Sequence, residues 1–180
     1  MKINLIQIVS LAAVMLMAGI STGFTADNKI PAVGDKAPLV EGKDQDGKTW
    51  KLSDEIGKKA VLLYFYPKDN TPGCTKEACG LRDHMSDLKK ENVEVIGVSF
   101  DSLDSHQKFI SKFSLNFPLL ADTDGKIADA YGVRMEGKNM ARRVSFLIGL
   151  DGNIKHITDD KDAMVHLKEM QEAVGQLAKK

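Results

Sequence analysis

Val61-Leu-Leu-Tyr-Phe-Tyr66-Pro67-Lys-Asp-Asn-Thr71-Pro72-Gly-Cys74-Thr-Lys-Glu77-Ala-Cys79 decides the fold. Val61 to Tyr66 is an unbroken apolar run of β-branched and aromatic type, the pattern of a strand covered on both faces in an α/β sheet. Pro67 ends the run. Thr71 followed by Pro72 reads as a helix N-cap with proline at the first helical position, where its missing N–H is no loss. Cys74 then falls at the third helical position. The unpaired N–H groups and positive dipole end of a helix start favour an anion there, so Cys74 is placed to react as a thiolate.

The second cysteine follows five residues later. Along a helix that is about 500° of rotation and about 7.5 Å of rise, too far for the Cα spacing of a disulfide, so a Cys74–Cys79 bond requires the helix to unwind. A static structural bridge is not normally built this way. A pair that alternates between a folded dithiol and a locally unfolded disulfide is consistent with it.

These residues carry a resemblance. Pro67-x-x-x-Thr71-x-x-Cys74 resembles the active-site signature of the peroxiredoxins, and Cys74-Thr-Lys-Glu-Ala-Cys79-Gly-Leu-Arg-Asp is similar to the atypical two-cysteine subfamily called bacterioferritin comigratory protein or PrxQ. The likeness runs from about Pro31 to the C-terminus. It implies a thioredoxin-like α/β fold of peroxiredoxin type, with a mixed central sheet covered by helices and an N-terminal β-hairpin. It further implies a thiol-dependent peroxidase that needs no cofactor and no metal. Cys74 would be the peroxidatic nucleophile and Cys79 the resolving cysteine, the two forming an intramolecular disulfide that a thioredoxin-like dithiol reductant recycles. Hydrogen peroxide and organic hydroperoxides are the implied substrates, and a monomer the implied state.

The resemblance assigns three more residues. Arg143 stands directly before the apolar run Val144-Ser-Phe-Leu-Ile, where the family's arginine reaches the peroxidatic sulfur; a guanidinium keeps its charge and can donate to peroxide oxygens. Thr71 would contact the thiolate and the peroxide through its hydroxyl, and Pro67 would shield the sulfur. Each also has a plain local reading, as cap and as strand terminator. Glu77, one turn after Cys74, either holds Arg143 by a charge-assisted bond or simply complements the helix dipole.

Composition bounds the rest. A chain of 180 residues that is 43% hydrophobic can bury one domain's core. Its 25 basic and 25 acidic residues leave no excess charge, which argues against a nucleic-acid partner. In residues 1–26, Lys2 precedes an apolar stretch from Ile3 to Ile20 that is followed by small residues, reading as a secretory signal peptide; an uncleaved membrane anchor is the alternative. The expected localisation is export, to a bacterial periplasm. The domain is then 31–180.

Asp46-Gly47 suggests a type I′ hairpin near the start of that domain, and Asp151-Gly152 a second hairpin after Val144–Leu150. The cysteine helix is expected to continue to about Glu91, with Leu81, Met85 and Leu88 facing the sheet. Further elements are a strand at Val93–Phe100, a helix from the Asp101/Ser102 cap to Phe113, a short strand at Phe117–Leu120, a short helix at Lys126–Tyr131 and a final helix from Asp162 to Leu177. His84, His106, His156 and His166 lack metal-ligand spacing and are expected at the surface. Trp50 is expected to pack in the first hairpin.

Two other classes compete. A thioredoxin-like thiol-disulfide oxidoreductase would use Cys-x-x-Cys, whereas four residues separate these cysteines. A Cu(I) carrier would need both thiolates and a distant histidine such as His156 on one ion, which two different helix faces oppose.

Overall fold

The structure, a computed structural model, describes residues 29–177. The proposed leader lies outside them, and no helix among the described residues is long and apolar enough to cross a membrane. An antiparallel hairpin comes first, β1 (Glu41–Lys43) and β2 (Thr49–Lys51), followed by a single turn, α1 (Leu52–Glu55). The succession then runs β3 (Ala60–Phe65), α2 (Pro72–Asp83), α3 (Met85–Lys90), β4 (Val93–Ser99), α4 (Leu103–Phe113), β5 (Leu119–Ala121), α5 (Lys126–Ala130), β6 (Val144–Ile148), β7 (Ile154–Asp159) and α6 (Ala163–Leu177).

Five strands form one sheet in the order β5-β4-β3-β6-β7. The β5, β4 and β3 strands are parallel, while β6 and β7 add antiparallel, giving the mixed sheet expected. All six residues of β3 are buried, because alternate side chains enter two cores. Leu62 and Tyr64 join α2, α3, α4 and α6 on one face; Val61, Leu63 and Phe65 join α1, α5 and the N-terminal segment on the other. The reactive stretch thus leaves the centre of the sheet at the carboxyl end of β3, where such sheets present their sites.

The N-terminal segment also reaches both borders of the sheet. Asp44 bridges Leu120 on β5, and Lys36 bridges Asn153 at the start of β7, where Gly34 N–H donates to the Ile154 carbonyl at 2.8 Å.

Two local expectations are corrected. The hairpin turns are not type I′, which needs two residues at positive φ; only Gly47 (φ 76°) and Gly152 (φ 73°) have it, and each closes a three-residue loop. Asp44 N–H donates to Lys48 O, and Gly149 N–H to Asn153 O, both at 2.9 Å. The cysteine helix is also not continuous to Glu91. It breaks at His84 (φ −96°, ψ 2°), whose ring Nδ1 lies 2.8 Å from the Gly80 carbonyl and competes for the helical acceptor. Met85 and Leu88 still reach the core, from α3.

Candidate active site

Cys74 is the third residue of α2 and is 2% exposed, on a helix face shared with Glu77, Ala78 and Leu81. That spacing of three and four residues is the buried stripe of an amphipathic helix. Cys79 lies off the stripe and is half-buried; both cysteines are free thiols.

Arg143, immediately before β6, crosses beneath the helix start. Its Nη2 lies 3.3 Å from Cys74 Sγ, its Nη1 donates to Glu77 Oε2, and its Nε donates to the Lys161 carbonyl at 3.2 Å. Gly73 leaves room for this approach, since a Cβ there would sit 3.1 Å from Nη2. The guanidinium therefore bridges the sulfur and a buried carboxylate. Glu77, in the second turn of α2, is thus in direct contact with Arg143.

Burial pushes the Glu77 carboxyl up to about 7, even though the charge and hydrogen bond of Arg143 pull it down. Its Oε1 has no hydrogen-bond partner and lies 3.6 Å from His166 Nδ1. His166 is held below its usual range by burial first. Its Nε2 lies 2.9 Å from the Asp160 carbonyl and 3.3 Å from the Asp160 N–H, and its Nδ1 lies 2.7 Å from Ser145 Oγ, so both ring nitrogens have partners. Ser145 pairs with Tyr64 across β3 and β6, and the Tyr64 hydroxyl is likewise buried without a partner. Cys74 thus rests on a polar floor that the apolar pattern of these strands concealed.

Thr71 occupies the N-cap position and Pro72 follows it, as expected, but the Thr71 side chain makes no cap bond. Its hydroxyl turns back and donates to the Lys68 carbonyl at 3.0 Å. Pro67 lines an open cleft of about 590 Å³ together with Met135, Arg142, Arg143 and Lys161. Arg142 is paired with Asp159 at the same cleft, so of the two adjacent arginines only Arg143 turns inward to the thiol.

Two of the four histidines expected at the surface are buried. His106 is 0% and His166 2% exposed, because each sits on the core face of its helix and satisfies its ring nitrogens there. Helical spacing held the signal: His106 precedes Phe109, Ile110 and Phe113 by three, four and seven residues, and His166 lies three after Ala163 and four before Met170. His84 is exposed, and His156 on β7 is half-buried and stands 3.5 Å from Glu169. Trp50 packs against the second core as expected of the hairpin, with its ring nitrogen unpartnered. Among the described residues no group of three His, Cys, Asp or Glu side chains is placed to hold a metal ion.

Fold and site together define a thiol-based redox protein of the thioredoxin-like class. Comparison with known proteins narrows this. A profile of the AhpC/TSA family matches residues 33–157. Peroxiredoxin Bcp of Escherichia coli K12 is 47% identical over 133 residues, covering 71% of this chain and 85% of that one. Peroxiredoxin Bcp of Bacillus subtilis is 44% identical over 128 residues, covering 68% and 81%. Among solved structures, peroxidoxin BcpB of Mycobacterium tuberculosis superposes with a TM-score of 0.75 at 30% identity, over 81% of this chain and 97% of that one. The bacterioferritin comigratory protein of Xanthomonas campestris, studied for alkyl peroxide reduction, superposes with a TM-score of 0.73 at 28% identity, over 82% and 99%. The chain belongs to the AhpC/TSA family, within its Bcp/PrxQ peroxiredoxins.

Proposed function

We propose that this protein is a thiol-dependent peroxidase that reduces hydrogen peroxide and organic hydroperoxides, with Cys74 as nucleophile and Cys79 as resolving cysteine. The observation that carries the reading is Cys74 Sγ in the first turn of α2, 3.3 Å from an arginine that cannot lose its charge. Arg143 favours the thiolate and donates to the peroxide oxygens as the O–O bond lengthens. The sulfur bonds to the terminal oxygen, the O–O bond breaks, and the alkoxide or hydroxide leaves and takes a proton. Cys74 becomes a sulfenic acid.

Glu77 holds Arg143, and Pro67 walls the cleft above the sulfur. Thr71 shapes the loop by donating to the Lys68 carbonyl, and its hydroxyl oxygen accepts from the O–H of the hydroperoxide. The start of α2 then unwinds, the Cys79 sulfur bonds to the Cys74 sulfur, and water leaves. A thioredoxin-like dithiol reductant returns the pair to thiols by disulfide exchange. The protein works as a monomer, since both cysteines are in one chain. Residues 1–26 are read as an export signal to a bacterial periplasm; the mass of protein recovered from that compartment decides between a cleaved leader and a retained anchor.

The decisive experiment is a single turnover. Reduced protein is freed of reductant, given one equivalent of hydrogen peroxide with a chelator present, and assayed for free thiols and intact mass. Loss of both thiols in the wild type is expected, with no reaction in Cys74→Ser and one oxidation without recycling in Cys79→Ser. Two thiols still free in the wild type would sink the proposal and favour a disulfide substrate.

A further inference from the structure

The loop from Pro67 to Thr71 is tied down by a buried polar cluster that the chemistry above does not use. Asp69, 5% exposed, accepts on Oδ1 from the Tyr66 hydroxyl at 2.8 Å. Its Oδ2 accepts from the Ser105 hydroxyl at 2.7 Å and lies 2.9 Å from His106 Nδ1. The backbone N–H of Asp69 donates to Asp101 Oδ2 at 2.9 Å, an oxygen that the Ser99 hydroxyl also reaches. The second ring nitrogen of His106, Nε2, lies 3.2 Å from the Leu120 carbonyl. Both ring nitrogens thus face oxygen partners, which ties His106 to Asp69 on one side and to β5 on the other. Burial alone would raise the Asp69 carboxyl, but the His106, Ser105 and Tyr66 bonds outweigh it and hold the group below its ordinary value.

This cluster stands where α2 lacks support of its own. Thr71 gives α2 no side-chain cap, and Asn70 between the two residues is held at φ 57°, the left-handed region. The first turn therefore relies on the loop being kept in place from Asp69. Bonding Cys74 to Cys79 requires that same turn to unwind.

Resting on the peroxidase reading, we propose that the Asp69–His106 pair is a positioning clamp that keeps the start of α2 wound and thereby sets the fate of the Cys74 sulfenic acid. That acid has two exits. With the Cys79 thiol it gives the disulfide and water; with a second hydroperoxide it is oxidised to sulfinic acid while the peroxide is reduced to alcohol or water. A tight clamp prolongs the folded sulfenic acid and favours the second exit.

The test compares wild type, Asp69→Asn, His106→Gln and the double variant. Each reduced protein receives graded hydrogen peroxide, and intact mass gives the ratio of disulfide to sulfinic acid; thermal unfolding verifies the fold. Each single variant is expected to move the ratio about tenfold toward disulfide and to slow the first loss of the Cys74 thiol. The double variant, with two neutral amides facing each other, is expected closer to wild type than His106→Gln, which leaves a buried carboxylate unpaired. An unchanged ratio in folded variants, or a double variant equal to the sum of the singles, overturns the clamp. Should the singles not fold, Ser105→Ala, which deletes one bond to the same carboxylate, must shift the ratio in the same direction, and no shift overturns it. Wild-type protein that keeps both thiols would instead defeat the peroxidase reading.

Discussion

At the scale of single residues, Arg143 carries three separate contacts from one planar group: to Cys74, Glu77 and the Lys161 carbonyl. A lysine at this position keeps the charge but has no fork, so it can serve the sulfur or the carboxylate and not both. Arg143→Lys is therefore expected to slow the loss of the Cys74 thiol to peroxide by about a hundredfold, measured by rapid mixing, with little change in the Cys79 step. The arginine's place before β6 was legible from its position in the sequence. Glu77 was legible as a candidate partner for it, but His166 and Ser145 beneath them were not, because a polar residue on a buried stripe looks like an interruption until its partners on other elements are known.

Elements constrain the site through one close approach. Gly80 on α2 packs against α6, where an added Cβ would meet Leu167 Cδ1 at 2.3 Å and Cγ at 3.1 Å. Replacing a helical glycine with alanine ordinarily gains about 1 kcal/mol, whereas overpacking costs about 1–3 kcal/mol. Two atoms of Leu167, Cδ1 at 2.3 Å and Cδ2 at 2.9 Å, would lie closer than side-chain carbons pack, so the steric cost prevails. Gly80→Ala is expected to destabilise the protein by up to about 2 kcal/mol in denaturant titration. Leu167→Ala should cost less stability in the Gly80→Ala background than in the wild type, because it vacates the overlapping volume. The order of strands and helices was readable from apolar runs and helical spacing. The break at His84 and the three-residue turns were not, since both follow from backbone torsions that many sequences accommodate.

For the whole molecule, the buried carboxyls give stability a pH dependence of known sign. Glu77 rises from an ordinary 4.5 to about 7 on folding, with burial as the main cause. The folded state thus binds its proton more tightly, and stability present below about 4.5 is lost as pH rises through about 7. Asp122, raised by burial from 3.8 to about 6, acts in the same direction over a lower window. The Glu77 and Asp122 contributions to the unfolding free energy should therefore fall from pH 4.5 to 7, while His166, held below its ordinary 6.5 by burial, contributes in the opposite direction up to that pH. Glu77→Gln should flatten that slope without removing the Asp122 part.

The short segment that touches both borders of the sheet has a consequence for the chain before it is complete. Asp44 closes the β5 border and residues 34–37 close the start of β7. Unpaired strand borders are the templates on which separate molecules join into continuous sheets. Residues 34–44 are synthesised before either border exists, yet they can cover them only once β5 and β7 have formed. A copy clipped within this segment would keep the reactive stretch that follows β3 but lose Ala37 from the second core and present two growing ends, so the same few residues seal a core and guard against polymerisation.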